Sequence, residues 1–201
     1  MKSSSRPGRR APLAPGRVRI IGGQYRRTPI AVVAAAGLRP TPDRVRETVF
    51  NWLEHLLGDL TGLSALDLFA GTGALGLEMA SRGARRVVLV ERDGASATAL
   101  RALVARLGAS AVTVENADWR AASTALAPAS FDVIFLDPPF DSGILPLALA
   151  ASRPLLAPGG ILYAESHAAL TPASLAGADL EIVRAGKAGV VYFHLLWARA
   201  C

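Results

Sequence analysis

Asp137-Pro138-Pro139-Phe140 joins a carboxylate, two stiff prolines and an aromatic ring directly after the apolar run Phe131-Asp132-Val133-Ile134-Phe135-Leu136. The run reads as a buried strand, so the tetrad falls where a parallel strand ends, the edge at which open α/β sheets bind ligands. Its groups suit a planar base that carries an exocyclic amine. A carboxylate accepts from the N–H₂ group, a carbonyl left free by a proline accepts a second bond, and the ring stacks on the base. Asp and Pro are also ordinary turn residues, and a plain turn is the competing reading.

A second cluster sits earlier. Asp67-Leu68-Phe69-Ala70-Gly71-Thr72-Gly73-Ala74-Leu75-Gly76 follows another apolar run, and Gly71, Gly73 and Gly76 have the G-x-G-x-x-G spacing. Glycines there let the backbone turn tightly and approach a ligand. That spacing alone is weak evidence and also suits NAD. No Lys-Ser/Thr pair follows, which excludes a Walker A phosphate loop. Glu91 ends the next apolar run, the place of an acid that binds ribose hydroxyls. Asp67 lies ahead of the glycines, where a carboxylate would meet an ammonium but oppose a pyrophosphate. Asn116-Ala117-Asp118 closes a third run and offers an acceptor for an adenine amine. Both features favour S-adenosylmethionine over NAD. The candidate cofactor set is Asp67, Phe69, Ala70, Gly71, Thr72, Gly73, Gly76, Glu91, Arg92 and Asp118. Asp67 and Asp118 serving only as caps or turn residues is the plainer alternative for each taken singly. No metal is expected: the one cysteine is the terminal Cys201, and His55, His167 and His194, with no acid–base partner evident in sequence, read as structural or surface residues.

These residues need a scaffold that brings strand ends together. Apolar segments over 65–70, 86–91, 111–115, 131–136 and 161–165 read as strands. Helical patterns over 73–82, 95–107, 118–126 and 144–156 fall between them. Strands alternating with helices mean a doubly wound, mostly parallel α/β sheet. The last two strands, 180–184 and 190–197, have no helix between them and predict an antiparallel hairpin at one edge. Upstream, Val18-Arg19-Ile20-Ile21, Gly22-Gly23 and Gln24-Tyr25-Arg26 read as a hairpin around a glycine turn. Leu38-Arg39-Pro40-Thr41-Pro42 is a stiff link into a helix ending near Leu57, with Thr41 as its cap and Val45, Val49, Trp52, Leu53 and Leu56 as its apolar stripe. Three parts are expected: a disordered basic tail over 1–16, a hairpin and helix over 17–58, and an α/β domain over 59–201.

The charge is segregated. Residues 1–46 hold Lys2 and ten arginines against Asp43 alone, a net +10, while the remainder carries 11 basic and 15 acidic residues, a net −4. An arginine-rich arm on a mildly acidic body points to a polyanion, most simply nucleic acid. Arg19, Arg26, Arg27, Arg39, Arg44 and Arg46 are the candidate contacts. No apolar run reaches the ~18 residues of a membrane span. The basic N-terminus has no signal-peptide core. The expectation is a cytoplasmic, monomeric protein.

With these segments together, the chain resembles the RsmD family of bacterial small-subunit rRNA guanine-N2 methyltransferases. The resemblance runs from about Arg17 to near the end. It rests on Arg19-Ile20-Ile21-Gly22-Gly23-Gln24-Tyr25-Arg26, on the segment from Leu38 to Leu53, on the Asp67–Gly76 loop and on the Asp137 tetrad. The tetrad alone fits DNA adenine methylases equally well; the two N-terminal segments are more specific. The departures are the Arg-rich tail and Tyr25, where tryptophan is expected. The resemblance implies a class I S-adenosylmethionine-dependent methyltransferase fold with a seven-stranded sheet. It also implies a guanine of 16S rRNA as substrate, methylated on N2 within a partly assembled small subunit. Asp137, Pro138, Pro139 and Phe140 become the catalytic candidates. A different nucleic-acid amino-methyltransferase, and a non-catalytic RNA-binding assembly factor on the same fold, are the alternatives.

Overall fold

Two short strands open the computed structural model, which describes residues 18–31 and 42–198. β1 (Val18–Arg19) pairs antiparallel with β2 (Pro29–Ile30). The sequence reading set the return arm at Gln24-Tyr25-Arg26; the structure moves it to Pro29–Ile30. The cause is where the intervening amides bond. Ile21 and Gly22 donate to the Glu78 carboxylate at 2.7 and 2.8 Å, and Gln24 and Tyr25 donate to the Ser81 carbonyl and hydroxyl at 2.7 and 2.9 Å. Gly23 sits at φ 70°, and a Cβ there would meet the Ser81 carbonyl oxygen at 1.8 Å. The segment is therefore a turn seated on a helix end rather than a second arm.

α1 (Asp43–Leu57) follows, with Pro42 at its N-cap position and no side-chain cap. The expected cap, Thr41, lies outside the described residues, as do the 1–16 tail and Arg39. Val45, Val49, Phe50 and Leu53 form its buried stripe, with Trp52 and Leu56 half-buried beside them.

Alternation then proceeds as the apolar pattern predicts. β3 (Ser64–Asp67), α2 (Ala74–Ser81), β4 (Arg86–Val90), α3 (Gly94–Leu107), β5 (Val112–Glu115), α4 (Trp119–Ala125) and β6 (Phe131–Leu136) come first. α5 (Leu145–Ser152), β7 (Leu156–Ser166), α6 (Pro172–Leu175), β8 (Leu180–Ala188) and β9 (Val191–Ala198) complete the chain. The seven-stranded sheet has the order β5-β4-β3-β6-β7-β9-β8. The first five strands in that order run parallel, and β9 is antiparallel to both β7 and β8. The order reverses between β3 and β6, which opens a crevice at their C-terminal ends.

Several predicted boundaries shift: β3 stops at Asp67 rather than residue 70, β8 runs on to Ala188 rather than ending at residue 184, and two further shifts have a visible cause. α5 stops at Ser152, and a 3-10 turn over Arg153–Leu155 carries Pro154 where a helix would lose a hydrogen bond. β7 begins five residues early, at Leu156, and absorbs Pro158-Gly159-Gly160 through a register shift against β6. The sheet's two faces bury separate cores. One packs Val18, Ile30 and the α1 stripe against Phe135, Tyr163 and Leu195; the other packs α4, α5 and α6 against Leu66, Ile134 and Leu162. The hairpin and α1 thus share one core with the strands that position the candidate site.

Candidate active site

The candidate cofactor residues lie at the C-terminal ends of β3, β4 and β5 or in the loops leaving them, except Gly76, which is in the first turn of α2. Asp67, the last residue of β3, is 2% exposed, and its Oδ2 accepts from Gly76 N–H at 3.0 Å. Burial pushes its carboxyl up to about 7, the Gly76 bond opposing and the Glu91 charge adding to the rise. Asp67 therefore sits between its two protonation states near neutral pH, and a cationic ligand group would hold it ionised.

The glycine loop cannot be built from larger residues. Gly73 starts α2 at φ 77°, and a Cβ there would meet Leu100 Cδ2 at 2.5 Å. At Gly76 a Cβ would meet Leu89 Cδ2 at 2.2 Å and crowd the Asp67 carboxylate at 3.3 Å. Gly71 sits at φ 51°. Thr72 and Ala70 are buried, and the half-buried Phe69 ring tilts against Trp119 with centroids 5.9 Å apart. Packing is thus the visible role of Trp119. A cavity of about 370 Å³ opens beside the loop, between Gly71, Thr72, Ser96, Leu100 and Ile30.

Glu91 does more than the sequence suggested. Its Oε2 accepts from Gly71 N–H at 2.8 Å and its Oε1 from Asp93 N–H at 2.6 Å, so it braces the glycine loop against the start of α3. Each oxygen keeps a lone pair for a hydroxyl donor. Arg92 is exposed, and its carbonyl accepts from Asn116 Nδ2 at 3.0 Å while the Glu91 carbonyl takes the same amide at 2.9 Å. Asn116 therefore ties β4 to β5 and leaves its oxygen for a donor. Asp118 is a helix cap in this structure, with Oδ1 accepting from Arg120 N–H at 3.0 Å and the side chain 39% exposed.

The Asp137 tetrad leaves β6, the strand beside β3, and Asp67 is level with Phe135. Asp137 thus begins its loop two residues beyond that level, across the crevice from the glycine loop. Asp137 and Phe140 are half-buried, Pro138 is buried and Pro139 exposed. The carbonyl of Pro139 accepts from both the Ser142 hydroxyl and the Ser142 N–H, which curls Phe140–Ser142 into a 3-10 turn. That turn presents the Phe140 ring to His167, with centroids 4.2 Å apart.

Sequence reasoning missed the floor beneath Asp137. Leu136 pairs with Ala164, so Glu165 follows one step along the neighbouring strand. Glu165 is 3% exposed and accepts from the Tyr163 hydroxyl at 2.6 Å. Burial, then Glu165, then the charge of Asp137 push the Tyr163 phenol up, which keeps it a donor. The signal was present: Glu165 ends an apolar run just as Asp67 and Glu91 do.

One basic candidate needs correction. Arg46 was expected to contact RNA, but it is fully buried. Its Nη2 donates to Asp43 Oδ1 at 2.7 Å and to the Arg19 carbonyl at 2.8 Å, and its Nη1 lies 4.0 Å from Glu78. A guanidinium between two carboxylates and a strand carbonyl is an internal tie. Arg19, Arg26, Arg27 and Arg44 are exposed, with Arg19 paired to Asp43 at 3.0 Å.

A family model described as "Conserved hypothetical protein 95" matches residues 18–197. The ribosomal RNA small subunit methyltransferase D of Escherichia coli (strain K12) is 42% identical over 156 residues, 76% of each chain. The chain belongs to the RsmD family. The methyltransferase D of Haemophilus influenzae is 37% identical over 161 residues, 78% of this chain and 82% of that one. The solved structure of yhhF from Escherichia coli superposes with a TM-score of 0.78 at 34% identity, covering 92% of this chain and all of that one. The expected class I methyltransferase fold of the RsmD family is thus met across nearly the whole chain, β1 and α1 included.

Proposed function

We propose that this protein transfers a methyl group from S-adenosylmethionine to the exocyclic N2 amine of a guanine in 16S rRNA. The substrate form is a partly assembled small ribosomal subunit in the cytoplasm. One observation carries the reading: a buried carboxylate with a glycine loop, and an Asp-Pro-Pro-Phe loop, leave neighbouring strands on the two sides of the crevice at the sheet's switch point. Membership of the RsmD family supports rRNA as the substrate.

When bound, the cofactor supplies an electrophilic methyl on its sulfonium, and transfer is an in-line displacement. The residues of this chain bind and orient. Asp67 would meet the amino-acid ammonium, with Gly71 and Gly73 allowing close approach of the backbone. Glu91 would accept from the ribose hydroxyls, and Asn116 and Asp118 would receive the adenine amine. Phe69, Ala70, Thr72 and Arg92 would line the same groove. A guanine N2 lone pair is delocalised into the ring and is a poor nucleophile. Asp137 and the Pro138 carbonyl accepting its two N–H bonds would favour a pyramidal nitrogen aimed at the methyl. Asp137 would hold the proton of the nitrogen as it becomes cationic. Pro139 fixes the turn that brings Phe140 over the base. Positioning is the main contribution, and the base must be unstacked or already looped out to enter.

Asp137→Ala is expected to bind S-adenosylhomocysteine as the native protein does and to lose about 100-fold or more in turnover. Calorimetry and tritiated methyl incorporation read the two quantities. Near-native turnover in that variant would remove Asp137 from the mechanism. Incorporation into rRNA, small subunits and DNA, compared side by side, separates this reading from a DNA adenine methylase; no incorporation into any of them would favour a non-catalytic assembly factor.

A further inference from the structure

The C-terminal edge of the sheet carries more than the Asp137 loop. Because β9 runs antiparallel to β7, the β8–β9 turn comes back to the edge where β3, β6 and β7 end. Tyr192 pairs with Ser166 of β7 on one side and with Lys187 of β8 on the other. The Lys187 ammonium lies 4.6 Å from the centroid of the Tyr192 ring. One residue past Ser166, the exposed His167 imidazole lies against Phe140. Two ring pairs therefore share this edge beside the candidate base pocket: Phe140 with His167, and Tyr192, opposite Ser166, with the exposed Lys187.

This edge is held in place. Leu170 N–H donates to His194 Nε2 at 3.1 Å, which pins the segment after β7 to β9. Burial pushes the His194 imidazole down from its ordinary value, so the accepting nitrogen stays free of a proton. Just beyond, Thr171 and Ser174 form a capping box that starts α6. On the hairpin, a Cβ at Gly186 would meet the Phe193 ring at 2.3 Å, so the backbone of β8 lies directly on that ring.

π-faces grouped at one edge with an exposed cation are the chemistry of single-stranded nucleic acid binding. A protein partner would call for a larger apolar anchor than Val190, the one large hydrophobic strongly exposed at this tip. We propose that His167, Tyr192 and Lys187 form a docking strip for the single-stranded RNA flanking the target guanine, the rings stacking bases and Lys187 meeting one phosphate. The strip rests on the methyl-transfer reading of the Asp137 loop and extends it beyond the arginine arm.

The test uses full-length protein, S-adenosylmethionine and a labelled rRNA fragment with an unpaired loop. Fluorescence anisotropy reads binding and tritiated methyl incorporation reads turnover. Tyr192→Leu is expected to weaken RNA binding and raise the KM for RNA about tenfold, the range of one lost stacked base. The kcat at saturating RNA and the affinity for S-adenosylhomocysteine should stay within twofold. Tyr192→Phe, which keeps the ring, should behave as native and controls for folding. Lys187→Ala should lower the slope of log Kd against log salt by about 0.7, one single-strand phosphate. Native RNA affinity and salt slope in Tyr192→Leu/Lys187→Ala would overturn the strip and leave the methyl-transfer reading intact. Native affinity for the fragment with lost methylation of assembled subunits would assign the strip to a protein contact and also overturn it. If the native protein methylates no RNA, the methyl-transfer reading falls, and the anisotropy series still decides the strip.

Discussion

Asp67 is the residue at which burial, charge and ligand chemistry meet. Its carboxyl is displaced upward to about 7 from an ordinary 3.8, chiefly by burial. The folded, ligand-free protein therefore holds a proton that the unfolded chain releases above pH 3.8. Its contribution to stability is complete below that value and is lost as the pH rises through about 7. A ligand ammonium reverses the preference, since an opposite charge in a poorly solvated site favours the ionised acid. Affinity for S-adenosylhomocysteine should accordingly rise from pH 6 to pH 8, and binding below pH 7 should release protons. Calorimetry in buffers of different ionisation enthalpy measures that release directly. In Asp67→Asn the affinity should fall, the pH dependence and the proton release should vanish, and the ligand-free protein should hold its stability better at pH 8. A proton release unchanged in Asp67→Asn would remove this carboxylate from the ammonium site.

At the scale of elements, the N-terminal turn depends on one buried acid of α2. Glu78 is fully buried, receives Ile21 and Gly22 N–H, and faces Arg82 at 2.9 Å and Arg46 at 4.0 Å. A buried pair that loses one partner leaves the other charge uncompensated, at a cost of about 3–5 kcal/mol. Glu78→Gln should therefore lower stability by about 3 kcal/mol in urea unfolding, and the Ile21 and Gly22 amides should exchange faster than those of β3. Equal exchange would show that the turn is held by other contacts. This linkage also marks the limit of what the sequence displays. β6 was legible to the residue because an apolar run bounded by Ser130 and Asp137 has one reading. Arg46 was misread because its i−3 partner Asp43 is local while Glu78 lies 32 residues away, and only the packing of α1 on α2 brings the acid to it. The arm at Pro29–Ile30 was missed for the same reason: the amides that would have closed a tight hairpin bond to α2 instead. Glu165 stood at the end of its strand in plain view, but which strand lies beside β6 is set by topology.

Across the whole molecule, charge and catalytic geometry are divided. The first 46 residues carry +10 and the rest −4, yet the packing takes Arg46 out of that excess and pairs Arg19 with Asp43. What remains exposed among the described residues of this arm is Arg19, Arg26, Arg27 and Arg44. If these four neutralise phosphates, each contributes about 0.7–0.9 to the slope of log affinity against log salt. Replacing all four with alanine should then flatten the slope by about three and weaken RNA binding most at low salt. Affinity for S-adenosylhomocysteine should be unchanged, because none of the four lies at the ends of β3, β4 or β5. Arg85 offers a control of the same charge: it is exposed and precedes β4, at the edge of the sheet away from the crevice, where its Nε donates to the Ser64 hydroxyl. Arg85→Ala should leave the slope as it was. A slope reduced by Arg85→Ala by about a quarter of the four-arginine effect would mean that net charge alone governs association. A slope reduced only by the four-arginine variant would place the polyanion along β1, the Gly22–Arg27 turn and the start of α1, and would make the N-terminal element the part that brings RNA to a catalytic body of the opposite charge.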